Sequence, residues 1–148
     1  MDRFSVSEGM CGVDCNFDAD ISLCRWENDQ SDNFDWSVSR GSYKSFTGPT
    51  RDQSSSARGG SAGGYAFIDS AYPRRPGDTA RLRMSKTVET EADEPLCLSF
   101  YFNMFGHSIG SLAVLLVSGD ESEELVWRME RPGSSPRDMW HRAQAMII

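Results

Sequence analysis

The chain has 148 residues, with 22 acidic against 15 basic side chains and a net charge of −7. That length suits one domain with a core of its own, and 39% hydrophobic residues, with four Trp, eight Phe and four Tyr, are too many for a disordered polypeptide. The acidic balance, with no basic run longer than Arg74-Arg75, argues against nucleic acid and anionic membrane as main partners, and no stretch approaches the ~18 apolar residues of a membrane-spanning helix.

The opening segment, MDRFSVSEGM, lacks the apolar region of a secretory signal peptide. Either the chain is a mature or excised piece with an added Met1, or the protein is intracellular. Cys11, Cys15, Cys24 and Cys97 form an even set, which suits an oxidising compartment. Zinc would need paired ligand spacings, and Cys24, Cys97, His107 and His141 have no close companions. Residues 1–36 are acidic and aromatic, and Asp18-Ala-Asp20 offers two carboxylates of the kind hard cations take. The plain reading is a solvated acidic loop. The sharper one is a Ca2+ or similar cation held by this loop and a second one, on Asp18, Asp20 and Asp78. No EF-hand loop is present, and nothing sets two carboxylates across a sugar-binding cleft.

From Thr47 to Gly64 the composition predicts a long surface loop. Beyond Tyr65 the pattern tightens to period 2. GDTARLRMS sets Ala80, Leu82 and Met84 on one face and Thr79, Arg81 and Arg83 on the other, where solvation explains the arginines. CLSFYFNMF alternates Leu98, Phe100, Phe102 and Met104 with Ser99, Tyr101 and Asn103. SLAVLLVS is apolar on both faces, ELVWRME is mixed, and WHRAQAMII carries Ala143, Ala145 and Ile147. Turn signals such as YPRRPGD, FGHSIG and SGDES separate these runs, which together predict an all-β, antiparallel sandwich.

Gly106-His107-Ser108-Ile109-Gly110 matches G-x-S-x-G, the pattern of a hydrolase nucleophile elbow. The rest of such a site is missing. The apolar run after it ends at Ser118-Gly119, no βα alternation precedes it, and the only later histidine, His141, lies in a strand-like run. The segment reads as a hairpin turn between CLSFYFNMF and SLAVLLVS, with Gly110 the glycine expected to hold a positive φ. No catalytic residue is assigned.

Taken in order, CNFDADISLCRW (15–26), DNFDW (32–36), GGYAFIDS, GDTARL (77–82), CLSFYFNMFGHSIGSLAVLL, LVWRME and WHRAQAMI resemble the MAM domain, the extracellular adhesion module of meprins, neuropilins and receptor tyrosine phosphatase mu. The resemblance covers residues 15–148 and leaves 1–14 as an extension or linker. It implies a jelly-roll sandwich in which Cys15 pairs with Cys24. Cys97 would pair with a final cysteine that this chain does not contain, and Cys11, outside the pattern, would substitute, join another chain or stay free. The family continues for about two strands beyond the Trp-x-x-Ala segment, so the fold is expected to be incomplete at its C-terminal end, with a strip around Ala143, Ala145 and Ile147 uncovered.

The function implied is non-catalytic recognition of protein partners, including homophilic or dimeric contacts. The module would belong to a secreted or membrane-anchored parent whose signal peptide lies outside this segment, and no cofactor is required. A carbohydrate-binding, lectin-like jelly roll is the alternative, and a hydrolase built on Ser108 the remote one.

Overall fold

The structure, a computed structural model, describes residues 15–17, 23–53, 63–85, 87–89, 95–130 and 136–147. Its described elements are eight strands, all paired antiparallel: β1 (Trp26–Asn28), β2 (Ser37–Arg40), β3 (Gly64–Phe67), β4 (Leu82–Met84), β5 (Leu96–Phe102), β6 (Ser111–Val117), β7 (Glu123–Glu130) and β8 (His141–Ile147). Strand β1 pairs with β4, β2 with β3, β5 with β8 and β6 with β7. The nesting of the β6–β7 hairpin inside the β5–β8 pair is the folded-over ribbon of a jelly roll, as expected for an all-β sandwich.

Alternation explains each pair. Trp26 faces Met84 and Asn28 faces Leu82 on one side of β1–β4, while Glu27 lies opposite Arg83 on the exposed side. On the inner face of β5–β8, Leu98, Phe100 and Phe102 oppose Ala145, Ala143 and His141. Phe102, Ala143 and Ala145 are buried there, so the small alanines admit the rings across from them. The register shift between Val114 and Leu115 explains why ELVWRME looks mixed. Val114 pairs with Trp127 but Leu115 with Leu125, which leaves Val126 as the extra residue of a bulge. Strict alternation would put Leu125 and Trp127 on one face. The bulge separates them, turning Trp127 inward and leaving Leu125 55% exposed.

Trp127 then joins the two sheets. Its ring meets Phe100 edge-on at 5.0 Å and Phe102 at 5.4 Å, geometries that aromatic quadrupoles favour. A second aromatic series runs from Tyr43 through Phe67 and Tyr65 to Trp140. Tyr65 is buried, and its hydroxyl donates to the Gly41 carbonyl.

Three expectations change. The 103–110 segment is not a hairpin turn, because β5 pairs with β8 and β6 with β7, so it crosses between two sheets. The alanines of β8 are not an uncovered strip, because β5 and the aromatic layer bury Ala143 to 7% and Ala145 to 3% exposure. The loop expected on the surface from Thr47 is partly buried at its start, at Pro49 and Asp52; residues 54–62 lie outside the described set.

Candidate interaction surface

The chemistry-bearing side chains gather in the loops. Arg137, between β7 and β8, acts on the loop after β2. Its Nε donates to the Gly48 carbonyl at 2.8 Å and Nη1 to Ser45 at 2.5 Å, while Nη2 reaches the Lys44 carbonyl and the Ser42 hydroxyl. A guanidinium offers five donors in a fixed fork, and here the fork satisfies carbonyls that no strand pairs. The neighbouring Asp138 completes the clamp: Oδ1 accepts the Thr50 amide at 2.6 Å and Oδ2 the Thr50 hydroxyl at 2.5 Å. Burial opposes ionisation of Asp138, but the two Thr50 hydrogen bonds and the charges of Arg51 and Arg137 outweigh it, and its pKa lies below the usual carboxylate range. Asn103 ties the same corner to the chain after β5 by donating to the carbonyls of Arg137 and Met139.

The clamped loop presents apolar groups to solvent. Phe46 is 80% exposed, and Tyr43 and Met139 are also exposed. Nearby, Lys44 pairs with Asp69 at 2.5 Å. Burial works against the Asp69 charge, yet the Lys44 hydrogen bond prevails and lowers its pKa, while that same bond raises Lys44.

A second exposed feature is the turn over 71–78, with Tyr72 at 96% exposure. The Arg74 amide donates to the Ala71 carbonyl at 3.1 Å and the Asp78 amide to Arg75 at 3.0 Å. Asp78 Oδ2 in turn accepts the Arg75 amide at 2.9 Å. Arg74 fastens the turn to the acidic loop, with Nη1 on the Asn33 carbonyl at 3.1 Å and the guanidinium 4.8 Å over the Phe34 ring. That loop is itself moored. Asn28 grips Trp36 in both directions, donating to its carbonyl at 3.1 Å and accepting its amide at 2.7 Å, and the Trp36 indole donates to the Ala80 carbonyl at 3.0 Å.

The residues singled out from sequence fare differently. Cys15 and Cys24 form a disulfide with Cα atoms 5.9 Å apart. Cys97 is a free thiol on the outer face of β5, opposite Met146, and Cys11 lies outside the described residues. Asp18 and Asp20 also lie outside them. Asp78 uses one oxygen to hold its own turn, and the described residues contain no grouping of three His, Cys, Asp or Glu able to hold a metal. Ser108 is exposed in the crossover and its carbonyl accepts the Ser70 hydroxyl. His141 stacks on Phe102 at 5.4 Å, so the serine and the histidine have different neighbours. The demanding glycine of the motif is Gly106, not Gly110. Gly106 has φ +153°, and a Cβ there would run into the Thr47 hydroxyl, with the Thr47 Cβ at 3.2 Å and Ile109 Cδ1 at 3.3 Å; a Cβ on Gly110 would meet nothing within 4 Å.

Sequence reasoning passed over Arg137, Tyr72 and Arg75. The last two sit in YPRRPGD, read only as a turn; a lone aromatic beside arginines between prolines was the signal.

The MAM domain family, described as meprin/A5/mu, matches residues 15–147. The chain belongs to the MAM domain family. It is 33% identical over 140 residues to the MAM domain-containing glycosylphosphatidylinositol anchor protein 1 of Gallus gallus, a match over 90% of this chain and 14% of that protein. The human protein of that name is 32% identical over the same shares. Neuropilin-1 of Xenopus laevis is 26% identical over 139 residues, 91% of this chain and 13% of its own. The chain therefore spans about a seventh of the curated relatives it matches. This MAM domain is an extracellular module, in keeping with its disulfide, and no helix among the described residues is long and apolar enough to cross a membrane.

Proposed function

We propose that this MAM domain is a non-catalytic protein-recognition module of a membrane-anchored extracellular parent. One observation carries the reading: loops fixed to a β-framework hold large apolar side chains out in water, Phe46 at 80% and Tyr72 at 96% exposure. A pre-ordered backbone has little entropy left to lose on binding, and aromatic and Arg side chains dominate interface energetics. The glycosylphosphatidylinositol-anchored relatives support the membrane-anchored parent. The function needs no cofactor; a Ca2+ on Asp18, Asp20 and Asp78 would be structural, and calorimetry with and without EDTA tests for it.

The deciding experiment displays the chain as a multimer against a panel of purified ectodomains that includes the chain itself. A glycan array and an ester-substrate assay run alongside. Binding to at least one ectodomain with no glycan signal and no hydrolysis is expected. Glycan binding without protein binding would replace this reading with the carbohydrate-binding one, and turnover abolished by Ser108→Ala would replace it with a hydrolase.

A further inference from the structure

The loop after β2 ends in an apolar tip. Lys44 and Thr47 bridge each other antiparallel, which leaves Ser45 and Phe46 at the turn, with Phe46 80% exposed. Peptide groups at a loop tip ordinarily depend on water. Here, of the five carbonyls from Lys44 to Gly48, four accept hydrogen bonds from the Arg137 guanidinium. The Gly48 amide and the Thr47 hydroxyl both donate to the Phe105 carbonyl, at 2.7 Å and 3.1 Å. The bordering charges are matched as well, Lys44 by Asp69 and Asp138 by Arg51 and Arg137.

A turn whose polar groups are satisfied from behind can leave water without stranding them, which is the condition for backbone at a lipid surface. It has correspondingly little to offer a protein, whose interfaces are held in register by direct hydrogen bonds and charge pairs. Tyr43 and Lys44, beside the tip, join an apolar ring or stem to a polar end, the side-chain type suited to the boundary between bilayer and water. The parent proposed above is membrane-anchored, like the glycosylphosphatidylinositol-anchored relatives, so a bilayer is always close. We infer that Phe46 enters the interfacial layer of that bilayer and so sets the orientation of the domain on it. The lipid is zwitterionic phosphatidylcholine, because a chain of net charge −7 gains nothing from an anionic surface. One ring gives little affinity by itself, but an anchor holds the turn at an effective concentration on the order of millimolar, where weak insertion suffices. The inference goes beyond the recognition reading, to which Tyr72 remains.

Phosphatidylcholine vesicles that carry a nickel-chelating lipid, with the chain tethered to them by a polyhistidine tag at either terminus, test this. In tethered Phe46→Trp the added indole should emit at shorter wavelength than in the same variant free in solution, and lipids brominated on their acyl chains should quench it. Gly106, ahead of β6, abuts Thr47, so Val117 at the other end of β6 is remote from the turn; Val117→Trp should show neither change. Replacing part of the phosphatidylcholine by phosphatidylserine should increase neither signal. Each spectrum is read as a difference from the wild-type chain with its four tryptophans, and near-ultraviolet circular dichroism confirms that each variant is folded. A Phe46→Trp indole unshifted and unquenched with both tethers overturns the inference, as does equal quenching of Val117→Trp or quenching that requires phosphatidylserine. If Phe46→Ala loses an ectodomain while the Phe46→Trp indole stays in water on vesicles, the turn belongs to a protein pocket instead. The ectodomain panel contains no lipid, so failure there defeats the recognition reading and leaves this one standing.

Discussion

At the scale of single residues, two corners determine whether the loops hold their shape. Asp138 is ionised in the fold because Thr50 donates to both of its oxygens, against the cost of burial. Its folded pKa is depressed, so the stabilisation is present in full above the unfolded value near 3.9 and disappears as pH falls through the folded one. Asp138→Asn should therefore cost about 1–2 kcal/mol near neutrality, the value of a charged hydrogen bond, and the gap between variant and wild type should narrow below about pH 4. Urea denaturation at pH 7, 5 and 3.5 checks both parts; a gap that widens at low pH would contradict the assignment. Gly106→Ala should cost about 1–3 kcal/mol, from the strained φ and the contact with Thr47, while Gly110→Ala and Ser108→Ala should be near neutral. Sequence pointed to the glycines of GHSIG but chose the wrong one. What separates them is Thr47, some 60 residues away along the chain, and no local pattern carries that information.

Among the elements, strand positions and inward faces were readable because period 2 is a local property. Leu82, Met84, Phe100 and Phe102 lie on the faces their spacing predicts. Partner choice was not readable in the same way. A strand, a glycine-rich segment and a second strand suit a hairpin or a crossover equally well, and the crossover wins because the small residues of β8 complement the rings of β5. The Cys15–Cys24 bond was legible through family resemblance, and it closes a loop of sequence separation 9 ahead of β1. Restricting the unfolded chain in this way is worth about 2–3 kcal/mol on the loop-entropy estimate. A Cys15→Ser/Cys24→Ser variant should melt several degrees lower and lose protection from hydrogen exchange first in β1 and β4. Unchanged melting would mean that the Asn28–Trp36 and Trp36–Ala80 hydrogen bonds suffice to hold this region.

For the molecule as a whole, the exposed apolar surface divides into two regions of different character. The loop aromatics are scattered, and fixed hydrogen bonds hold their backbone. The outer face of β6–β7 is instead a continuous sheet surface, where Leu115 (38% exposed) lies directly opposite Leu125 (55%), with Val117 (48%) beside them. Strand β6 has no charge, proline or glycine in seven residues, and among the described residues it pairs only with β7. An uncharged edge of this kind lacks the features that keep strands from pairing with other chains, so this face should govern aggregation rather than specific association. Leu115→Lys interrupts the patch and adds an edge charge, at a cost of no more than about 1 kcal/mol for the lost cross-strand contact. Its melting temperature should stay within a few degrees of wild type while light scattering after heating falls. Scattering unchanged from wild type would mean that the β6–β7 face is not what drives aggregation.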